Sequence, residues 1–201
     1  MKLYLSPGAC SLAPHIALLA TGLPFVVERV SLRTRQTESG EDFRAINPKG
    51  QVPALVLDDG AVLTENQVIL QYIADQAPGS GLAPAYGSVE RYRLMEWLAW
   101  LSSELHKRFS PLFAPGATEA VREATWTALA GPLSYVAAKV DADDYLLGPQ
   151  FTVADAYLFT ILGWVGFARF SLADWPALQA YQARVGSLPV VREAMRREGL
   201  Q

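Results

Sequence analysis

This 201-residue chain has little of several things, and each shortage excludes something. It has one cysteine, Cys10, which rules out an internal disulfide framework and fits a reducing compartment. It has two histidines, His15 and His106, distant in sequence from each other and from Cys10, so no metal site is expected. Positive charge is neither abundant nor clustered. The 17 Lys and Arg against 20 Asp and Glu leave a net charge of −3, which argues against nucleic acid as a partner. No run approaches the roughly 18 apolar residues of a membrane span. Lys2 precedes a fairly apolar stretch, but Pro7, Pro14 and His15 interrupt it, so no signal peptide is expected and the cytoplasm is the simplest location.

The remaining composition, 51% hydrophobic and 18% charged, is that of an ordinary soluble protein able to bury one large core or two small ones. Residues 1–77 mix strand and helix signals: strands at Lys2–Leu5 and Phe25–Val30, a helix over Ser11–Thr21 stopped by Gly22, and a short helix at Gly40–Ala45. A hairpin follows across Asp58-Asp59-Gly60, then a helix over Glu65–Gln76, giving the order βαβαββα. Residues 78–87, rich in Pro and Gly, read as a linker. From residue 88 to 201 only helical periodicity remains, with long helices over Ser88–Phe109 and Thr118–Val140 and shorter ones over Asp174–Arg184 and Pro189–Arg197. Thr152 and Asp155 have the spacing of a helix cap, a structural role. The fold class is therefore α/β followed by all-α, an N-terminal βαβαββα domain and a C-terminal helical bundle.

Cys10 stands where a strand and a loop give way to a helix. Unpaired N–H groups and the helix dipole at that point favour an anion, so a depressed thiol pKa is expected. Position 13 is alanine, which excludes a Cys-x-x-Cys redox pair. The second thiol then comes from a small molecule, with glutathione the natural candidate. Ser11 and Tyr4 are rival hydroxyl groups near the same point.

The stretches Tyr4–His15, Leu32-Arg33-Thr34, Ile46–Leu55, Leu63-Thr64-Glu65, Glu104–Lys107, Thr152–Ala156 and Leu188–Val191 occur in register with one family. The chain resembles the cytosolic glutathione transferases, most closely the bacterial beta class, over essentially its whole length. The resemblance implies a thioredoxin-like N-terminal domain (1–77) that binds glutathione and a helical domain (88–201) that forms the electrophile pocket. It further implies a homodimer, no membrane or nucleic-acid partner, and a detoxifying enzyme with glutathione as cosubstrate and no prosthetic group. Glutathione would be conjugated to small hydrophobic electrophiles through its thiolate.

Residue by residue, the resemblance puts Cys10 and His106 at the glutathione sulfur. It implies a cis Val52–Pro53 bond that frees the Val52 backbone for the cysteinyl unit, beside Ala9. Glu65 would pair with the γ-glutamyl ammonium, and the first turn of its helix, at Asn66, would take the carboxylate. Thr64 and Gln67 also have capping-box spacing. Arg35 would contact the glycyl carboxylate. Ser103, His106 and Lys107 form one polar strip, with Ser103 and Glu104 reaching a partner subunit's site. Asn66, Arg35 and Ala99 depart from common beta-class residues (a small residue, Lys and Asn), and weaker glutathione affinity follows from Ala99. Trp97, Trp100, Trp164 and Phe167 read first as core, as does His15. Two further functions fit the same residues: a thiol transferase or peroxidase that forms a mixed disulfide on Cys10, and a non-catalytic binding module.

Overall fold

The computed structural model describes residues 1–200. Strands β1 (Lys2–Leu5), β2 (Val26–Arg29), β3 (Ala54–Val56) and β4 (Val62–Leu63) form one sheet in the order β2-β1-β3-β4. β1 pairs with β2 in parallel and with β3 antiparallel, and β4 closes the hairpin. Helix α1 (Leu12–Thr21) joins β1 to β2 and ends on Gly22, whose left-handed φ of 68° lets its N–H return to Leu19. Helix α2 (Asn66–Gln76) follows β4. The short helix expected at Gly40–Ala45 is a single 3₁₀ turn, Phe43–Ala45, capped by the Asp42 carboxylate on Arg44 N–H. Gly40 (φ 93°) and Asn47-Pro48 leave too few residues between them for an α-helix.

The helical part comprises α3 (Val89–Trp100), α4 (Lys107–Phe109), α5 (Glu119–Ala142), α6 (Val153–Phe167), α7 (Pro176–Gly186) and α8 (Pro189–Glu198). A π-helical turn, Leu101–His106, interrupts the run from α3 into α4, which sequence periodicity reads as one α-helix. α6 is apolar on nearly every side and is accordingly buried along most of its length. Its start is held by the expected cap: Asp155 Oδ2 accepts Thr152 N–H and Oγ1–H at 2.8 Å, and Oδ1 accepts Leu146 N–H and Tyr181 O–H.

α1 is the joint of the molecule, packed against α2 on one side and α6 and α8 on the other. One continuous core runs through it from Leu3 and Leu5 to Tyr157 and Tyr181. A second bond between the halves is the buried Arg91 of α3, whose guanidinium grips both Asp75 carboxylate oxygens at 2.8 Å. Within 78–87, Pro78–Ser80 forms a 3₁₀ turn and the Leu82 carbonyl accepts Val153 N–H. Among the described residues no helix is long and apolar enough to cross a membrane.

Candidate active site

The loop after β1 is a tight self-bonded turn. Ser11 Oγ both accepts Ser6 N–H and donates to Ser6 C=O, and Ala9 N–H returns to Ser6 C=O. This consumes the Ser11 hydroxyl in a fully buried position, while Tyr4 is buried against Phe43. Neither rival of Cys10 faces the cleft described below. Cys10 lies two residues before the first residue of α1, and its thiol donates to the Val52 carbonyl at 3.2 Å. Val52–Pro53 is cis, and the β1–β3 ladder begins only at Ala54, so Val52 stands outside it.

The depressed thiol pKa expected from sequence is not what this geometry produces. Burial pushes the Cys10 thiol up to about 12, and the N–H groups of Cys10 and Ser11 offset that only in part. A carbonyl acceptor on the sulfur and loss of water both oppose the anion, and they outweigh a helix start two residues away. Cys10 is a neutral S–H donor.

At the start of α2 the backbone is unusual. Glu65 has φ 69°, a region that non-glycine residues avoid at a cost of about 1–3 kcal/mol, and such residues gather at functional positions. The expected Thr64–Gln67 capping box is absent. Thr64 Oγ1 instead accepts from Lys49 Nζ at 3.0 Å, and the same ammonium bonds Glu65 Oε1 at 2.6 Å. The first turn of α2 therefore has no side-chain cap. Asn66 follows, buried to 8% exposure, with both amide atoms lacking any partner. A buried amide left unpaired in a cleft wall is what a site awaiting a polar ligand presents.

His106 closes the far wall. Its Nδ1 lies 2.6 Å from the Tyr157 hydroxyl, and its ring meets the edges of Tyr157 and Trp164 at centroid distances of 5.8 and 4.8 Å. Burial, with the neighbouring Lys107 charge adding, lowers His106 to about 4, so the imidazole is neutral. The π turn decides which serine stands beside it. Its i→i+5 winding spends an extra residue per turn, so a spacing of four stays near one face and a spacing of three does not. Ser102 thus shares the His106 face, while Ser103 is swung out to solvent.

These groups line one open cleft of about 410 Å³. Of the residues expected at a site, Cys10, Val52, Pro53, Glu65, Asn66 and His106 come together in it. Ala9, Arg35, Ser103, Glu104 and Lys107 do not line it. Ala9 packs beside Tyr4 and Phe43. Arg35, left-handed at φ 60°, donates from Nη1 to Gly50 C=O at 2.6 Å. Glu104 is paired with Arg108, and Lys107 and Ala99 are exposed. Among the described residues no group of three or more His, Cys, Asp or Glu is placed to hold a metal ion.

Two family models match: glutathione S-transferase N-terminal domain over residues 8–76 and glutathione S-transferase C-terminal domain over residues 101–189. The chain belongs to the glutathione S-transferase family. It is 42% identical over 201 residues, the full length of both chains, to glutathione S-transferase GstA of Escherichia coli O157:H7. The solved bacterial beta class glutathione S-transferase of Sphingomonas chungbukensis aligns over all of both chains at 48% identity and a TM-score of 0.97. A sphingomonad glutathione S-transferase solved with glutathione aligns over all of both chains at 49% and 0.96. The thioredoxin-like and helical-bundle architecture expected from sequence is thus the glutathione S-transferase fold, of beta-class likeness.

Within that fold, sequence reasoning missed half of the cleft wall: Asn47, Lys49, Gln51, Thr64, Ser102 and Tyr157. Asn47 carries a readable signal. Its Oδ1 accepts Lys49 N–H, the Asx turn typical before a Gly, and its Nδ2 holds Gln51 C=O. Tyr157 carries none, since in sequence it is one more aromatic on an apolar helix. Of the aromatics expected in the core, Trp164 is buried, but Phe167 is 79% exposed beyond the last turn packed on α1.

Proposed function

We propose that the cleft binds reduced glutathione and conjugates it to small hydrophobic electrophiles. The observation that carries this reading is the convergence of two neutral donors, Cys10 and His106, with the uncapped start of α2 and the off-ladder Val52 backbone in one cleft. The γ-glutamyl carboxylate sits at the first turn of α2 and the Asn66 amide. Its ammonium takes Glu65 in place of Lys49, and the cysteinyl unit pairs with Val52. Arg35 reaches the glycyl carboxylate from the Gly50 side of the cleft.

The thiol of glutathione then lies between Cys10 and His106. When the cysteinyl N–H takes the Val52 carbonyl, the Cys10 S–H is released from it, and the two neutral donors stabilise a thiolate without the cost of a buried cation. The proton leaves to solvent through the open mouth. The thiolate pair forms a C–S bond at the electrophilic carbon, and the leaving group departs with its bonding pair. Phe113 (45% exposed) stands between Phe167 and Trp164, which touches His106, and they offer an apolar wall for the electrophile. Exposed Val68, Tyr92 and Met95 on α2 and α3 support a homodimer, in which Ser103 and Glu104 serve the partner's cleft.

Conjugation is favoured over a mixed disulfide on Cys10 because the thiol is half-buried, protonated and bonded to Val52, a poor state for attack on sulfur. The test is calorimetric titration with reduced glutathione, then turnover of an aryl halide by the wild type and Cys10→Ala. Binding between micromolar and low millimolar, with conjugation surviving in part in Cys10→Ala, is the expected result. No binding at ~10 mM, far above the usual range of such affinities, would point to the binding-module reading. Loss of all turnover in Cys10→Ala with disulfide exchange in the wild type would point to the thiol transferase.

A further inference from the structure

His106 is neutral, so one ring nitrogen carries a proton and the other a lone pair, and the two present opposite chemistry to a sulfur anion. The nitrogen that faces a thiolate has to be the protonated one. Nothing in the His106 side chain fixes that choice; its surroundings do.

The Tyr157 hydroxyl lies 2.6 Å from Nδ1, its one close partner, while Ser102 and Asn66 border the same oxygen on the donor side and so do not compete for its proton. Asn66, the nearest amide in the wall, has neither polar atom in a hydrogen bond. The Tyr157 ring is 1% exposed, and burial keeps its hydroxyl protonated, well above the usual phenol range. A buried phenol with one close acceptor gives its proton to that acceptor, because a buried donor left unmet is costly. His106 Nε2 makes no hydrogen bond and is not sealed from solvent. Edge contacts from Trp164 and Tyr157 hold the ring and prevent it from turning to exchange its nitrogens.

From this arrangement we infer that Tyr157 is a positioning residue for the reaction: its O–H occupies Nδ1 of His106 and leaves Nε2–H as the donor offered to the glutathione sulfur. The inference rests on the conjugation reading above, and it adds a residue that acts on the sulfur through His106. Its counterpart is the outer partner that fixes the tautomer of a metal-ligating imidazole, the loss of which commonly costs 10–100-fold.

The experiment is a ring ¹⁵N–¹H multiple-bond NMR spectrum of the full chain labelled at histidine, without ligand. Only two histidines contribute, and His106→Gln removes one set of signals and so assigns both. The wild type should show His106 as the Nε2–H tautomer, and Tyr157→Phe should show a mixture. With glutathione bound, the ultraviolet thiolate band should titrate about one pH unit higher in Tyr157→Phe, a ~10-fold loss of thiolate near neutrality, with kcat falling accordingly and glutathione KM nearly unchanged.

A wild-type spectrum of the Nδ1–H form, or an unchanged tautomer in Tyr157→Phe, would overturn the proposal. A changed tautomer with unchanged thiolate titration would overturn the catalytic part and leave conjugation standing. Failure of the wild type to bind glutathione would instead overturn the conjugation reading, and the ligand-free spectrum would still decide the tautomer. If Tyr157→Phe does not fold, the His106 replacements decide. Gln places an amide donor near the Nε2 position and Asn near Nδ1, so His106→Gln should retain at least several-fold more activity than His106→Asn, and equal activities would overturn the proposal.

Discussion

The carboxylate of Glu198 accepts the backbone N–H of Gly8 at 2.9 Å through one oxygen and meets His15 Nδ1 at 2.8 Å through the other, across more than 180 residues of chain. On the other side of the same peptide, Trp164 Nε1–H donates to Gly8 C=O at 2.8 Å. Gly8 is left-handed at φ 72°, a conformation that side-chain-bearing residues rarely adopt. The helical domain thus holds both polar groups of the residue two before Cys10. Replacement by Glu198→Ala leaves a partly buried N–H and a buried imidazole without an acceptor, and should cost roughly 2–4 kcal/mol. Urea unfolding measures it; a loss below about 0.5 kcal/mol, the level of an ordinary surface change, would show that the loop holds without this contact.

Cys10 should be slow to alkylate. With its thiol raised to about 12, the thiolate population at pH 8 is far below that of a free cysteine. Iodoacetamide labelling followed by intact mass, unambiguous with a single cysteine, should run at least ten times slower in the native than in the urea-unfolded chain, with the native rate still climbing above pH 9. Equal rates would contradict the buried neutral thiol.

His106 makes stability depend on acid. The folded protein holds the imidazole neutral down to about 4 against an ordinary 6.5, so protonation favours the unfolded chain. Stability from this group is complete above pH 6.5 and is lost as pH falls toward 4, by up to about 3 kcal/mol. His106→Asn removes the titration. The gap in unfolding free energy between wild type and His106→Asn should be constant above neutrality and shift in favour of the variant between pH 6.5 and 4. A gap that stays constant throughout would show a normal histidine.

Glu65 should matter through one charge. Glu65→Gln keeps the shape but loses the anion proposed to meet the γ-glutamyl ammonium, and should raise glutathione KM by about 10–100-fold, as expected for a charged hydrogen bond worth roughly 1.5–3 kcal/mol. A glutathione analogue lacking the amino group should bind wild type and Glu65→Gln alike. A preference for the wild type would place the contact elsewhere.

Much of this was readable in the sequence, for definite reasons. Gly22, the Asp58-Asp59-Gly60 turn and the Thr152–Asp155 cap are local devices, and each appears where its chemistry demands. Cys10 was legible because it sits at an element end, which sequence punctuation marks, whereas Val52 and Glu65 came from the resemblance to the glutathione transferases. Tyr157 was not, because its role is set by a neighbour 51 residues away on a different helix. The choice of Ser102 over Ser103 was hidden by a π turn that ordinary helical spacing does not anticipate. The thiol pKa went the other way from the helix-start argument because that argument counts dipoles and cannot count burial.

The grip of Glu198 on Gly8 also sets an order of events. Synthesis runs from the N-terminal side, so the Cys10 loop emerges long before α8, its final restraint, exists. The loop therefore waits on a residue made 190 positions later, and a nascent chain does not carry a finished thiol site until residue 198 has left the exit tunnel.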